Sequence, residues 1–487
     1  MPLKDFLKRN KSLFLVFILF LVIISVMQFR VNEIIGFDGW LHINMAGRIK
    51  DEGFIKEFPY ITESILSGNY ADLQFLFRLL LIPFTSLGLI PGAKIASSLF
   101  AALCFTFFYW YLEKSGINYP LFWTSLYAVS SVDLMYRFLL PRAMPLAVLS
   151  LLLTFYFIDK RMYKSLLVTS FLFVWLYPGF VFQLAAIAVY FTIDALISRK
   201  IDLKLLAYPA IGVLAALIFN PYFPNNISLL YTQLFKVNLI GNLYNTEWKP
   251  WNLKEFFRFN YLLFSLFILS LYITFKKMKL DKRSLFFLAL SLISLIAMLK
   301  TRRMHEYFAP FTVLFAAFSS NKALTCLKSH KKTALRYISI ISVLFLLIIA
   351  VLGLIGLDKH IKNNHFLPWY KDGAEWIRYN LPENSVVFIN GYTFNYLFFY
   401  APNLRYTHGI DLTYSYLYDA SKFERYMGVL QGIDPGYNII KEDYNADYAV
   451  VGKVKQDIKL FDYIVRYKED FEVLYEDQSI GILEVRK

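Results

Sequence analysis

The sequence predicts a polytopic α-helical membrane protein with a small α/β domain at its C-terminal end. Two observations lead to this fold class. First, 57% of the 487 residues are hydrophobic, and uninterrupted apolar runs recur along most of the chain. A run of roughly 17–25 apolar residues is long enough for a helix to cross the hydrocarbon core. Second, the sequence after residue 357 turns polar and mixes helix-like with strand-like patterns.

The apolar runs define twelve candidate membrane segments. Basic residues precede the first one, and no small-residue cleavage site follows it, so we expect an uncleaved span with a cytoplasmic N-terminus. The predicted segments are 12–29, 72–88, 93–113, 119–136, 143–158, 164–177, 180–198, 203–219, 260–275, 284–299, 305–319 and 335–357.

The charges of the connecting loops predict which side each loop faces. Basic loops remain in the cytoplasm, and four later links are basic, namely 159–164, 198–204, 276–283 and 322–336. These links and the N-terminus share the cytoplasmic side only if one earlier segment does not cross. We expect that segment to be 72–88, which contains Arg78 and Pro83. It would be a juxtamembrane helix in a first external loop, 30–92, leaving about 11 spans in a module over residues 1–357.

Counting the membrane crossings in the same way predicts that residues 358–487 form an extracytoplasmic α/β domain. A helix is expected over 374–380, because Pro382 follows it. Buried strands are expected over 385–390 and 447–452, and a hairpin over 471–485.

The chain carries a formal net charge of +15. In a soluble protein such an excess suggests nucleic-acid binding, but much of it lies in short loops that follow the positive-inside rule. We therefore expect contact with membrane lipids and none with nucleic acid.

Polar groups near membrane depth are costly and are functional candidates by default. The count of crossings places three groups of charged or polar residues on the external side. The first is Asp38 with His42, the second is Asp133, Arg137 and Arg142, and the third is Arg302, Arg303 and Glu306. Simpler explanations exist for some of them. Asp38 could cap a helix, and Arg137 and Arg142 could extend to the membrane interface.

The adjacent arginines Arg302 and Arg303 are harder to explain by topology, because external loops are expected to be poor in basic residues. Guanidinium groups match phosphate oxygens in pairs. A carboxylate beside them could deprotonate an acceptor, or could hold a metal ion with the same effect. These residues therefore favour transfer of a sugar that is carried on a lipid phosphate.

These motifs resemble the GT-C superfamily of integral-membrane glycosyltransferases, which includes oligosaccharyltransferase catalytic subunits, protein O-mannosyltransferases and aminoarabinose transferases. GFDGWLHINMAGRI (36–49) resembles the family's first external loop, whose essential acid then corresponds to Asp38. ADLQFLFRLLLIPF (71–84) resembles the juxtamembrane segment that follows, without its double proline. The blocks WLYPGF, NPYFPNN, RRMHEYFAP and YTHGIDLTYSYLYD resemble an archaeal and bacterial branch of the superfamily.

Two family features are changed in this sequence. PRAMPLAV (141–148) resembles an Asp-Met-Pro-Leu segment in which Ala143 replaces the acid. The Trp-Trp-Asp-Tyr-Gly block of oligosaccharyltransferases is absent, and NGYTFNYLFF (390–399) stands at its approximate place.

The resemblance implies a glycosyltransferase that uses a polyprenyl-phosphate-linked sugar donor and an extracytoplasmic acceptor. We expect Asp38 and Glu306 as catalytic carboxylates, with a divalent cation, Mg²⁺ or Mn²⁺, as a candidate cofactor. The residues expected to bind substrate are His42, Asp133, Arg137, Arg142, Arg302 and Arg303. Two alternatives remain open, namely a transporter or flippase of lipid-linked or anionic solutes, and a non-catalytic binder of lipid-linked sugars.

Overall fold

The computed structural model describes residues 10–237, 247–277, 281–330, 332–364, 367–433, 436–453, 460–461, 464 and 469–486. The basic residues Lys4, Lys8 and Arg9, on which the predicted orientation of the first span depends, lie outside these residues.

Helices dominate the described chain. In chain order they are α1 (Lys11–Gln28), α2 (Asp38–Glu52), α3 (Phe75–Thr85), α4 (Leu89–Lys114), α5 (Pro120–Val129), α6 (Val132–Leu139), α7 (Met144–Asp159), α8 (Tyr163–Leu176), α9 (Phe180–Ser198), α10 (Lys204–Ile218), α11 (Asn225–Tyr231), α12 (Leu253–Lys277), α13 (Lys282–Lys300), α14 (His305–His330), α15 (Lys332–Asn364), α16 (Lys371–Asn380), α17 (Phe394–Tyr400), α18 (Leu412–Tyr418) and α19 (Ala420–Leu430).

Within the described residues, six helices are long and apolar enough to cross a membrane, and the number rises to seven if α6 and α7 are counted as one bent span. The six are α1, α4, α9, α12, α13 and α15. The helices α3, α8 and α10 are apolar but shorter. The chain is therefore an integral membrane protein, whereas the predicted total of about 11 spans is not confirmed.

Helix α3 falls within the segment that we predict not to cross. It has 11 residues, so it is ~16 Å long at 1.5 Å per residue. The hydrocarbon core is ~30 Å thick. Arg78 of α3 is buried in the protein, and Pro83 lies near the end of the helix. The length of α3 is thus compatible with a juxtamembrane helix.

The described chain divides into two compact units. The first, the helical unit, comprises residues 1–35, 73–220 and 247–363. Its helices pack closely where small residues permit it. A Cβ atom added to Gly212 of α10 would lie 2.3 Å from the carbonyl oxygen of Leu167 in α8. Glycine is therefore required at this crossing, because no larger residue allows the two backbones to approach so closely.

The second, the sheet unit, comprises residues 36–72, 221–246 and 364–487. Its five strands are β1 (Val386–Ile389), β2 (Arg405–Tyr406), β3 (Tyr448–Gly452), β4 (Phe471–Glu476) and β5 (Ile480–Val485). They form one sheet in the order β2-β1-β3-β5-β4. The first three strands are parallel, and β5 is antiparallel to both β3 and β4. The helix, the two buried strands and the hairpin that the sequence predicts here are all present.

The loop segment 36–72 also belongs to the sheet unit. Ile61 forms a parallel bridge with Tyr406 of β2, and the amide of Thr62 donates to the carbonyl of Tyr406 at 2.9 Å. The segment thereby covers the edge of the sheet at β2, which would otherwise expose unpaired backbone groups. The loop that carries Asp38 is consequently folded together with the C-terminal sheet.

Candidate functional site

Helix α6 brings the first charged pair of the helical unit together. Asp133 lies in its first turn and Arg137 in its last, four residues apart, which places both on one face. The Arg137 guanidinium is 3.3 Å from the Asp133 carboxylate. Four residues that include Arg142 then separate α6 from α7, and the two helices are bent by 104° at this break.

The first turn of α14 contacts this pair. Glu306 accepts a close hydrogen bond from Arg137, and both side chains are buried. The Nδ1 atom of His305 is 3.2 Å from Asp133 Oδ2, and His305 is completely buried. A carboxylate in the first turn of a helix is also favoured by the helix dipole. One predicted catalytic carboxylate and two predicted substrate-binding residues are therefore in direct contact.

The first two residues of α14, His305 and Glu306, each have a polar side-chain atom without a hydrogen-bond partner among the described residues. These atoms are Nε2 of His305 and Oε2 of Glu306, and both are buried. Buried polar atoms of proteins are hydrogen-bonded in most cases. The two atoms therefore have hydrogen-bonding capacity that the described residues leave unused.

Glu247 joins the cluster, and sequence reasoning did not select it. Its Oε1 atom is 2.7 Å from Arg142 Nη1 and 3.7 Å from Arg137 Nη2. Burial alone raises the pKa of Glu247, but the charges of Arg142 and Arg137 outweigh it and hold that pKa well below its usual range. Glu247 is therefore ionised at neutral pH. Its only signal in the sequence is an acid in a predicted external loop.

Backbone hydrogen bonds hold Glu247 against the two adjacent arginines. Its carbonyl oxygen accepts from the Arg303 amide at 3.1 Å and from the Thr301 hydroxyl at 3.0 Å, and the Arg302 amide donates to the Lys249 carbonyl at 3.1 Å. We call residues 247–255 the strap. It runs alongside the short 3₁₀ turn Arg302–Met304 that precedes α14.

The two adjacent arginines have different surroundings. The Arg303 guanidinium donates to the Tyr177 hydroxyl at 2.7 Å and lies 5.2 Å from the ring centre of Trp248. It also interacts electrostatically with the carboxylates of Glu247 and Glu306. Arg302 instead pairs with Glu255 of the strap at 2.5 Å, and both side chains are about one-third exposed. Arg303 therefore belongs to the cluster, and Arg302 lies at its edge.

Among the residues that the structure describes, the cluster contains equal numbers of opposite formal charges. Its three guanidinium groups belong to Arg137, Arg142 and Arg303, and its three carboxylates belong to Asp133, Glu247 and Glu306. Each carboxylate contacts at least one arginine. Among the described residues, no three His, Cys, Asp or Glu side chains gather in a way that could hold a metal ion. The described carboxylates of the cluster are thus engaged by arginines, and the divalent cation that the sequence suggested stays a prediction.

Asp38 and His42 lie in the sheet unit, on α2. Asp38 is the first residue of this helix and Phe37 is its N-cap, so Asp38 is not the N-cap residue itself. Trp40 is fully buried, with its ring 4.7 Å from that of Tyr396 in α17. The Asn44 amide donates to the Phe398 carbonyl at 3.2 Å. These contacts fix α2 on α17 and set the position of Asp38 within its unit.

Comparison with known proteins gives a likeness in structure only. No family model and no curated protein sequence matches this chain. AglB from Archaeoglobus fulgidus, solved with an inhibitory peptide and a dolichol-phosphate, superposes with a TM-score of 0.61 at 13% identity, covering 92% of this chain and 71% of its own. ArnT from Cupriavidus metallidurans, bound to undecaprenyl phosphate, gives a TM-score of 0.58 at 12% identity and covers 96% of this chain and 97% of its own.

A third structure, an A. fulgidus oligosaccharyltransferase with Zn and sulfate, gives a TM-score of 0.55 at 12% identity, covering 88% of this chain and 67% of its own. AglB and ArnT are GT-C glycosyltransferases. At such low identity these likenesses show the fold alone. The chain has the GT-C fold, and the resemblance predicted from its motifs is confirmed at that level.

Proposed function

We propose that this chain is a membrane glycosyltransferase that moves a sugar from a polyprenyl-phosphate-linked donor to an acceptor on the extracytoplasmic side. The observation that carries the proposal is the cluster of the buried Arg137 with the half-buried Arg142 and Arg303 in a chain of GT-C fold. Guanidinium groups suit phosphate oxygens, and their effect is largest where water is excluded.

In the proposed reaction, an acceptor oxygen or nitrogen attacks the anomeric carbon of the sugar. The bond between that carbon and the phosphate oxygen breaks, and its electron pair leaves with the polyprenyl phosphate. The leaving phosphate gains one negative charge, which the arginines stabilise. Asp38 takes the proton that the acceptor loses, and His42 orients the acid or the acceptor.

Two similar structures contain the kind of group that the proposal requires. AglB was solved with a dolichol-phosphate and ArnT with undecaprenyl phosphate. The A. fulgidus enzyme was also solved with Zn. In the present chain, the described carboxylates of the cluster are engaged by arginines. Our proposal therefore contains no step through a metal ion.

A transfer assay tests the proposal. The purified full chain in detergent is incubated with polyprenyl phosphates that carry radiolabelled hexoses, and a membrane extract supplies acceptors. We expect wild type to move label from the lipid into the acceptor fraction, and Asp38→Asn to lose most of this activity. A transporter predicts no labelled product from either protein, and that result would reject the enzyme.

A further inference from the structure

The position of Glu247 suggests which linkage the donor has. Its Oε1 atom lies between two guanidinium groups, 2.7 Å from Arg142 and 3.7 Å from Arg137. A phosphate oxygen accepts hydrogen bonds from paired arginines in the same way as a carboxylate oxygen. Glu247 therefore makes the contacts that an incoming phosphate needs.

Glu247 is also the carboxylate of the cluster that can leave most easily. Its side chain is 25% exposed, compared with 20% for Asp133 and 4% for Glu306. Asp133 is held by His305 as well as by Arg137. Glu247 belongs to the strap, and its side chain can turn towards water while its backbone bonds to the 3₁₀ turn remain.

The charges of the cluster limit what can replace Glu247. Without its carboxylate, three guanidinium groups face the two carboxylates of Asp133 and Glu306, so one positive charge is left over. A sugar joined to a polyprenol through one phosphate is a phosphodiester with one negative charge. A diphosphate linkage carries two. A buried charge without a partner is costly, so the exchange is balanced only for the single phosphate.

We propose that Glu247 occupies the place of the donor phosphate, and that the donor which displaces it is linked to its lipid through a single phosphate. This inference rests on the proposed function, because it assumes that Arg137 and Arg142 bind the donor phosphate.

Binding of small probes to the full chain in detergent tests the exchange. The probes are the methyl ester of farnesyl phosphate, with one charge, and the methyl ester of farnesyl diphosphate, with two. Glu247→Gln removes the competing charge but keeps the shape, so we expect it to bind the phosphate ester about tenfold or more tightly than wild type does. Glu247→Ala provides a second variant with the same expected direction.

Glu255→Gln is the matched control, since Glu255 lies on the same strap but pairs with Arg302 at the exposed edge. We expect it to change the affinity by less than about threefold. In wild type, the diphosphate ester should bind no more tightly than the phosphate ester despite its additional charge. A diphosphate ester that binds tenfold more tightly would overturn the single-phosphate assignment.

The outcomes separate this inference from the proposed function. If wild type binds the phosphate ester and Arg303→Ala weakens that binding, the arginines bind phosphate. If Glu247→Gln and Glu247→Ala then bind equally or less tightly than wild type, Glu247 is no competitor and the inference is wrong. If neither wild type nor any variant binds either probe, both the inference and the proposed phosphate site are wrong.

Discussion

Arg137 in the last turn of α6 donates a hydrogen bond to Glu306 in the first turn of α14, and both side chains are buried. The two residues are far apart in the sequence, so this contact joins helices from different parts of the helical unit. A buried ion pair gains little over an apolar pair, because both charges lose their hydration. Breaking it is costly, since the remaining charge stays buried without its partner.

Replacement of Arg137 by methionine is therefore expected to destabilise the helical unit. The change leaves Asp133 and Glu306 without their guanidinium partner, which costs about 3–5 kcal/mol. Adding Glu306→Gln removes one of the two carboxylates that have lost Arg137, so we expect the double variant to recover part of the loss. Unfolding of the full chain in detergent measures both effects. Arg486→Met, which breaks the exposed pair with Glu472, is the control and should cost less than about 1 kcal/mol.

Arg303 and Arg302 are expected to differ when each is changed to alanine. Arg303 contacts Tyr177 and the carboxylates of the cluster, whereas Arg302 pairs with Glu255 at the exposed edge. A charge-assisted hydrogen bond to a buried anion contributes about 1.5–3 kcal/mol, so Arg303→Ala should weaken phosphate binding about 10- to 150-fold. Arg302→Ala should change it less than about fivefold. Equal losses in the binding assay would contradict the predicted difference between the two arginines.

Much of the cluster could be predicted from the sequence, because burial of charge is costly. Charges that follow apolar segments need partners, and this argument selects Asp133, Arg137, Arg142, Arg303 and Glu306, which the structure brings together. The strands of the C-terminal sheet could also be predicted from the sequence. Their short runs of valine and isoleucine end at polar residues, which is typical of buried strands.

Other features depend on contacts between distant segments and leave no local pattern. Glu247 is selected by its position between Arg137 and Arg142, and nothing in its own neighbourhood distinguishes it from other loop acids. Likewise, the pairing of Ile61 with Tyr406 attaches the first external loop to the sheet, and a loop sequence does not specify its partner. The number of membrane spans is also hard to predict from the sequence, because short helices such as α3 are apolar like the longer ones.

Asp38→Asn is expected to abolish most sugar transfer while the protein still folds. The amide keeps the shape of the side chain but cannot accept the proton, and general-base catalysis contributes roughly 10²–10⁴-fold. Asp51→Asn, an exposed position near the end of the same helix, is the matched control and should retain normal activity. A purely structural role for Asp38 at the start of α2 predicts equal turnover by Asp38→Asn and wild type in the transfer assay.

The predicted topology places Leu87 on the extracytoplasmic side. This residue follows α3 and its side chain is 54% exposed, which makes it a better labelling position than Gly92, where an added Cβ would lie 2.1 Å from the Phe84 carbonyl oxygen. With both native cysteines replaced, we expect Leu87→Cys to react with an impermeant maleimide added outside cells. Lys200→Cys, in a predicted cytoplasmic loop, should react only after lysis. Labelling of Leu87→Cys from the cytoplasmic side alone would show that α3 belongs to a crossing segment.

His408 is expected to make the stability of the sheet unit sensitive to pH. Its ring stacks on Tyr426 with a centroid distance of 3.6 Å, and the residue is buried. Burial, and then the nearby charge of Lys422, hold the pKa of His408 well below its ordinary value of 6.5. Above pH 6.5 the imidazole is neutral in both the folded and the unfolded chain. The sheet unit therefore has its full stability there, as far as His408 is concerned. As the pH falls below 6.5, the unfolded chain binds a proton that the folded chain excludes, and the free energy of unfolding decreases by up to about 1.4 kcal/mol per pH unit.

His408→Phe isolates this contribution, because phenylalanine keeps an aromatic ring against Tyr426 and cannot be protonated. We expect similar unfolding midpoints for the variant and wild type at pH 7.5, measured on the full chain in detergent. At pH 5.5 wild type should lose more stability than the variant, since the other five histidines are present in both proteins. The same pH dependence in the two proteins would mean that His408 is protonated without cost in the folded state, contrary to its position among Tyr426, Phe423 and Tyr444.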